Sequence, residues 1–125
     1  MNVTKAVILA LFTAFFLKFF FFDFMIAQGS SMEPAIKSGK ILVISRLRYG
    51  LKFPWSRSYL LRWAKPKIGE IVVFYTPSGE LAVKRCTALD ESGFIAQGDN
   101  QNVSYDSRSY GSVPIDNIIG KVLGY

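Results

Sequence analysis

Histidine is absent from the 125 residues, and cysteine occurs once, at Cys86. Without histidine there is no Ser-His-Asp or Cys-His catalysis, and the commonest metal ligand is missing. One cysteine excludes an intrachain disulfide and leaves the redox compartment unspecified. A nucleophilic serine in this chain must draw on another base, and lysine is the known substitute. Acidic side chains are also scarce: 9 Asp and Glu stand against 15 Lys and Arg, a net charge of +6. Between Pro34 and Gly69 there is no acidic residue, while Lys37, Lys40, Arg46, Arg48, Lys52, Arg57, Arg62, Lys65 and Lys67 accumulate. A surface of that sign suits nucleic acid or anionic lipid. Internal repeats are absent too, and at this length the chain has room for one modest core.

What the chain has in excess is one apolar run. After the short polar start Met1 to Lys5, Ala6 to Ala27 is almost wholly apolar and includes Phe15, Phe16, Phe19, Phe20, Phe21 and Phe22. The length matches the ~20 residues that span a hydrocarbon layer. Lys18 and Asp23 interrupt it, and a central lysine costs roughly 2.5–3.5 kcal/mol on insertion scales, less if it snorkels. The many Phe, Leu and Ile residues outweigh that cost. The expected span runs from near Val3 to near Phe22, with Asp23 at the far interface. A removable signal peptide would have a shorter apolar core and a small residue at the third position before the cut, where Met25 stands. The segment therefore reads as an uncleaved anchor at 1–24, with Lys5 and the amino terminus on the cytoplasmic side. Beside such an anchor, lipid headgroups are the nearer partner for the basic tract, and nucleic acid is set aside.

Beyond the anchor the pattern is one of short strands. Ser38-Gly39-Lys40 is a turn, and Ile41–Ser45 reads as a buried strand. Arg46 to Lys67 mixes basic residues with Tyr49, Phe53, Trp55, Tyr59 and Trp63. Trp and Tyr favour the headgroup level, so 46–67 reads as a loop or short helix on the bilayer, with a solvated basic hairpin as the alternative. Glu70–Thr76 and Glu80–Thr87 are strands joined through Pro77-Ser78-Gly79, a hairpin. Gly93–Gln97 and Ile118–Leu123 are two more. The fold class is mainly β, with the domain occupying 25–125.

Chemistry gathers at two places. Gly29-Ser30-Ser31-Met32-Glu33-Pro34 puts two serines beside a proline that biases Glu33 away from the α region, so the backbone after the serines is expected to be extended. Those six residues alone also suit an ordinary linker. On the strand Glu80–Thr87, side chains alternate, so Lys84 shares its face with only Ala82 and Cys86. A lysine serves as a base only when neutral, against a free pKa of about 10.4, and apolar surroundings such as Val72 and Phe74 can lower it.

With these pieces in view, the sequence resembles the bacterial type I signal peptidases, which are serine–lysine dyad endopeptidases. Ser31-Met32-Glu33-Pro34 resembles their Ser-Met-x-Pro box behind a membrane anchor. Pro66-Lys67-Ile68-Gly69-Glu70-Ile71-Val72-Val73-Phe74 is similar to their Pro-x-x-Gly-Asp-Ile-Val-x-Phe strand, and Val83-Lys84-Arg85 to the box that holds the lysine. Gly98-Asp99-Asn100, Ser104-Tyr105-Asp106-Ser107-Arg108 and Gly111-x-Val113-Pro114 are similar to their last box. The resemblance implies a small signal-peptidase-like β domain with Ser31 as nucleophile, Lys84 as general base and Ser104 as the hydroxyl that orients the lysine. It implies Asp99, Asp106 and Arg108 as structural support, and Met32, Ile36, Ala82 and Val83 as the lining of pockets for small substrate side chains. It implies no metal or cofactor. Its implied partners are secretory preproteins, the lipid bilayer and the protein translocation machinery. The catalytic domain would lie on the outer side of the bacterial cytoplasmic membrane. Gly29 departs from members with a hydroxyl there, which leaves the Ser31 N–H as main oxyanion donor. A specialised pilin- or conjugation-type processing peptidase and a non-catalytic anchored module are the alternative functions.

Overall fold

The computed structural model describes residues 2–53, 55–56 and 58–125, and of Phe19 the backbone alone. Met1, Pro54, Arg57 and the Phe19 side chain lie outside the described residues, so the basic charge at 57 and one of the run's phenylalanines have no structural account. The apolar run forms helix α1, Val3–Phe21. Asn2 caps it: its side-chain oxygen accepts the Lys5 N–H at 2.8 Å, which satisfies one of the unpaired first-turn donors. Among the described residues, the apolar side chains of α1 belong to neither core cluster, and Phe12 is 68% exposed. Nineteen residues rise about 28 Å against a hydrocarbon layer of ~30 Å, and Lys5 and Lys18 lie among them. Among the described residues no helix is long and apolar enough to cross a membrane.

At Phe22 the backbone becomes extended without an intervening turn and forms strand β1, Phe22–Ile26. The sequence reading contained no strand here, and its boundary at residue 24 falls inside β1. Asp23 ties the junction down: its carboxylate accepts Arg46 Nη1 at 3.3 Å and lies 3.5 Å from Lys18 Nζ. Strands β2 (Ile41–Ser45), β5 (Ile71–Tyr75), β6 (Leu81–Asp90), β7 (Gly93–Gln97) and β8 (Ile118–Leu123) complete an antiparallel sheet of order β1-β2-β8-β5-β6-β7. The two remaining strands, β3 (Gly50–Leu51) and β4 (Leu61–Arg62), pair only with each other. A second α-helix, α2 (Ser107–Tyr110), is a single turn capped by Asp106, and a 3-10 turn at Ile115–Asn117 leads into β8.

Alternation along β5 divides the core. Val72 and Phe74 pack on one face with Cys86, Phe94 and Ile118, where the Phe74 and Phe94 rings meet edge-on at 5.2 Å. Ile71 and Val73 pack on the other with Leu42, Ile44, Met32 and Ile36. β2 is thus half-buried in alternation rather than wholly buried.

Residues 46–67 take the hairpin form of the two alternatives. Two-residue strands cannot hold themselves, and the hairpin is clipped to the start of β8. The buried Lys52 amine donates to Asp116 O at 2.6 Å and Ile118 O at 3.1 Å, and lies 4.6 Å from the Tyr59 ring centroid. The Tyr59 hydroxyl donates to the same Ile118 O at 2.8 Å. Burial lowers the Lys52 pKa to about 8, against the pull of Asp116. The tract's positive charge is less free than its composition implies, since Arg46, Arg48 and Arg62 pair with Asp23, Glu70 and Asp116 from elsewhere in the chain.

Candidate active site

A groove of about 460 Å³ opens between two ends of the sheet. One wall is Met25–Gly29, the end of edge strand β1 and the residues after it; the other is Leu81–Lys84 of β6. That both strands line one groove requires the sheet to curl. β7 pairs with β6 only from Arg85 onward, so Leu81–Lys84 has a ladder partner in β5 alone.

Lys84 Nζ donates to Ser31 Oγ at 2.7 Å across the groove floor. Val72 stands directly opposite Lys84 and Phe74 opposite Ala82, both fully buried. Lys84 itself is 7% exposed. Burial pushes its pKa down, while the Asp106 carboxylate pulls the other way. A neutral amine so placed reverses the bond and accepts the hydroxyl proton.

Ser31 sits in a turn, not on the extended backbone that Pro34 led us to expect. Glu33 N–H donates to Ser30 O at 3.2 Å and Ile36 N–H to Met32 O at 2.9 Å, and these bonds curl 30–36; the Glu33–Pro34 peptide is cis. Gly29, just ahead, has φ +78°, a conformation that disfavours any side chain.

Asp106 is fully buried and collects the loop behind the site. It accepts Gly98 N–H at 2.9 Å, Ser104 Oγ at 2.7 Å and, in a bidentate pair, Arg108 Nε at 3.0 Å and Nη2 at 3.1 Å. Burial opposes its charge, but the Arg108, Gly98 and Ser104 bonds prevail and hold its carboxyl well below the usual range. The Ser104 hydroxyl therefore donates to Asp106, where the resemblance gave it the lysine. Asp99 forms a second bidentate pair, with Arg85 at 2.8 and 2.7 Å, and Arg85 Nη1 also reaches Gly69 O at 2.7 Å. Met32, Ile36, Ala82 and Val83 all line the groove.

A family model described as signal peptidase, peptidase S26, matches residues 1–91 and 86–124. The chain belongs to that family. Among curated proteins it is similar to signal peptidase I of Haemophilus influenzae, 35% identical over 63 residues, which is 50% of this chain and 18% of that protein. It is also similar to signal peptidase I of Buchnera aphidicola, 35% identical over 60 residues, 48% of this chain and 19% of that protein. The aligned stretch thus spans under a fifth of either relative.

For this signal peptidase family member, sequence reasoning did not assign Met25–Gln28, Leu81, Val103 and Tyr105 to the site, although they also line the groove. Met25–Ala27 end an apolar run that carried no strand signal and Gln28 follows it, whereas Leu81 falls in alternation with Val83, which the resemblance did name. Gly98 entered only as part of the last box, and its lack of a side chain is needed here. A Cβ there would overlap Ser104 Oγ and lie 2.7 Å from Ser31 O. Gly98→Ala should destabilise by about 1–3 kcal/mol through overpacking and depress peptide turnover, read by thermal unfolding and a cleavage assay. Wild-type values for both would mean the loop opens at no cost.

Proposed function

We propose that this chain is a membrane-bound serine endopeptidase that removes signal peptides from exported preproteins, cutting after small residues. The observation that carries the reading is the 2.7 Å approach of a buried lysine amine to Ser31 Oγ on the groove floor. Ser31 Oγ attacks the scissile carbonyl and its proton passes to Lys84 Nζ. The tetrahedral oxyanion collapses, the C–N bond breaks, and Lys84 returns the proton to the departing amine. Water, deprotonated by Lys84, then attacks the acyl carbonyl, and Lys84 hands that proton to Ser31 Oγ as the ester C–O bond breaks. An extended substrate laid between the open edges at Met25–Gly29 and Leu81–Lys84 gains main-chain hydrogen bonds. Met32, Ile36, Ala82 and Val83, which line the groove beside Ser31, would take the small side chains.

The apolar surface of α1 supports a membrane anchor: with Lys18 snorkelling toward the Asp23 end, its length comes close to the hydrocarbon thickness. The domain would then face the outer side of the bacterial cytoplasmic membrane, where precursors leave the translocation machinery. Incubating the purified protein with an exported precursor and sequencing the new amino terminus tests the reading. Cleavage after small residues, lost in a Ser31 variant, is expected; no Ser31-dependent cut would overturn it.

The hairpin adds a docking surface for the same bilayer. Trp55 is 75% exposed and stacks on Phe53 at 4.9 Å, Trp63 is 57% exposed, and the exposed Lys65 and Lys67 follow. Replacing both tryptophans with serine should slow processing of a vesicle-held precursor several-fold and leave a short soluble peptide unaffected, since indoles partition to the interface. Equal losses on the two substrates would exclude surface docking.

A further inference from the structure

Asn100 touches both peptide groups that flank Ser31. Its backbone N–H donates to Ser31 O at 2.8 Å, and its side-chain Nδ2 donates to Ser30 O at 3.1 Å. The chain places it firmly. Two residues before, Gly98 is held by Asp106; one residue before, Asp99 is held by Arg85 and its N–H lies 3.4 Å from Met32 Sδ.

The side-chain contact has a directional consequence. The Ser30–Ser31 peptide is trans, so Ser30 C=O and Ser31 N–H lie in one plane and point opposite ways. A donor fixed on Ser30 O fixes the direction of the Ser31 N–H, away from Asn100. It also polarises the amide and strengthens that N–H as a donor. Ser30 O takes a second bond from Glu33 N–H at 3.2 Å, within the turn itself, so Asn100 is what ties the plane to the rest of the protein. The orientation matters here because Gly29 offers no side-chain donor beside the serine. A negative charge developing next to Ser31 has to be met by a backbone N–H already in place.

We propose that Asn100 is a positioning residue, which holds the Ser30–Ser31 peptide plane so that the Ser31 N–H is aimed at the oxyanion. The proposal rests on Ser31 being the nucleophile. Its test compares the full-length protein with Asn100→Ala and Asn100→Asp. The aspartate variant keeps the side chain's size and replaces the donor with an acceptor. The probes are a fluorogenic peptide with alanine before the scissile bond and the matching peptide aldehyde, whose adduct with the serine carries an oxyanion.

Both variants should lose roughly 10- to 100-fold in kcat, as expected for a loosened rather than a deleted oxyanion donor. KM should stay within about twofold, the mark of an interaction made in the transition state. Aldehyde affinity should fall by a factor similar to kcat. Asn100→Ala should keep the wild-type midpoint of the rate's pH dependence, because Lys84 is undisturbed, and both should unfold near the wild-type temperature. An Asn100→Asp enzyme with wild-type kcat overturns the proposal. So does a loss that falls on KM alone, or one that tracks the loss of folded protein. If wild type shows no Ser31-dependent turnover, the reading of the site fails and takes this proposal with it; Ser31-dependent turnover with a fully active Asn100→Asp removes Asn100 alone.

Discussion

Ser31→Ala should abolish cleavage and leave the fold intact. The loss expected is roughly 10³- to 10⁶-fold in kcat, the range seen when the attacking atom of a serine enzyme is deleted and only binding and oxyanion contacts remain. Stability should change little. Ser31 lies in a turn at the groove, its carbonyl bond to Asn100 N–H involves no side chain, and the lost hydroxyl had one partner, Lys84. Ser30→Ala is the internal control: the bonds that hold Ser30 are made by its carbonyl, so its hydroxyl is expendable. Turnover of a peptide substrate, with thermal unfolding alongside, checks both. An active Ser31→Ala with a dead Ser30→Ala would reassign the nucleophile.

Lys84 variants should show a comparable loss, and Lys84→Met a gain in stability as well. Lys84→Arg keeps a cation that does not shed its proton in the working range, and Lys84→Met has no proton acceptor; each should lower kcat by roughly 10³-fold or more. In the wild type, activity should rise with pH through the lowered lysine pKa and remain high in mild alkali. The same shift governs folding. A folded-state pKa below the unfolded value, about 10.4, means that between the two the unfolded chain binds more protons. Stability therefore rises with pH across that window, and below it the full penalty of burying the cation is present. Lys84→Met removes the penalty, so its unfolding temperature should exceed wild type at neutral pH and converge toward it in alkali. Activity that peaks in acid, or a Met variant less stable at pH 7 than wild type, would contradict a buried lysine base.

The β5–β6 hairpin and the position of Lys84 were legible because both depend on local pattern. Ile71–Tyr75 is β-branched and aromatic, Pro77-Ser78-Gly79 is a turn, and alternation alone put Lys84 among Ala82 and Cys86. β1 was not legible. Phe22–Ile26 continues an apolar run with no turn residue to mark the change, and only pairing with β2 makes it a strand. The 46–67 hairpin was open between two forms because strands of two residues carry no periodicity; its form comes from Lys52 and Tyr59 meeting Ile118 O, more than fifty residues on. The turn at Ser31 was missed for a similar reason. Local proline rules favoured extension, whereas the bonds from Glu33, Ile36 and the distant Asn100 favour the turn.

The junction of α1 and β1 has a mechanical consequence. Phe21 ends the helix, Phe22 begins the strand, and no residue between them is available as a hinge. Phe21 O accepts the Arg46 N–H at 2.9 Å, and Asp23 is bound to Lys18 on one side and Arg46 on the other. Helix and strand are therefore joined without a hinge at Asp23, and the β2 ladder holds Phe22–Ile26 along its length, with the Ala27 N–H on Lys40 O at 2.9 Å beyond it. The groove wall at Met25–Gly29 is thus tied to the body of the sheet on one side and, through consecutive covalent bonds, to the helix on the other.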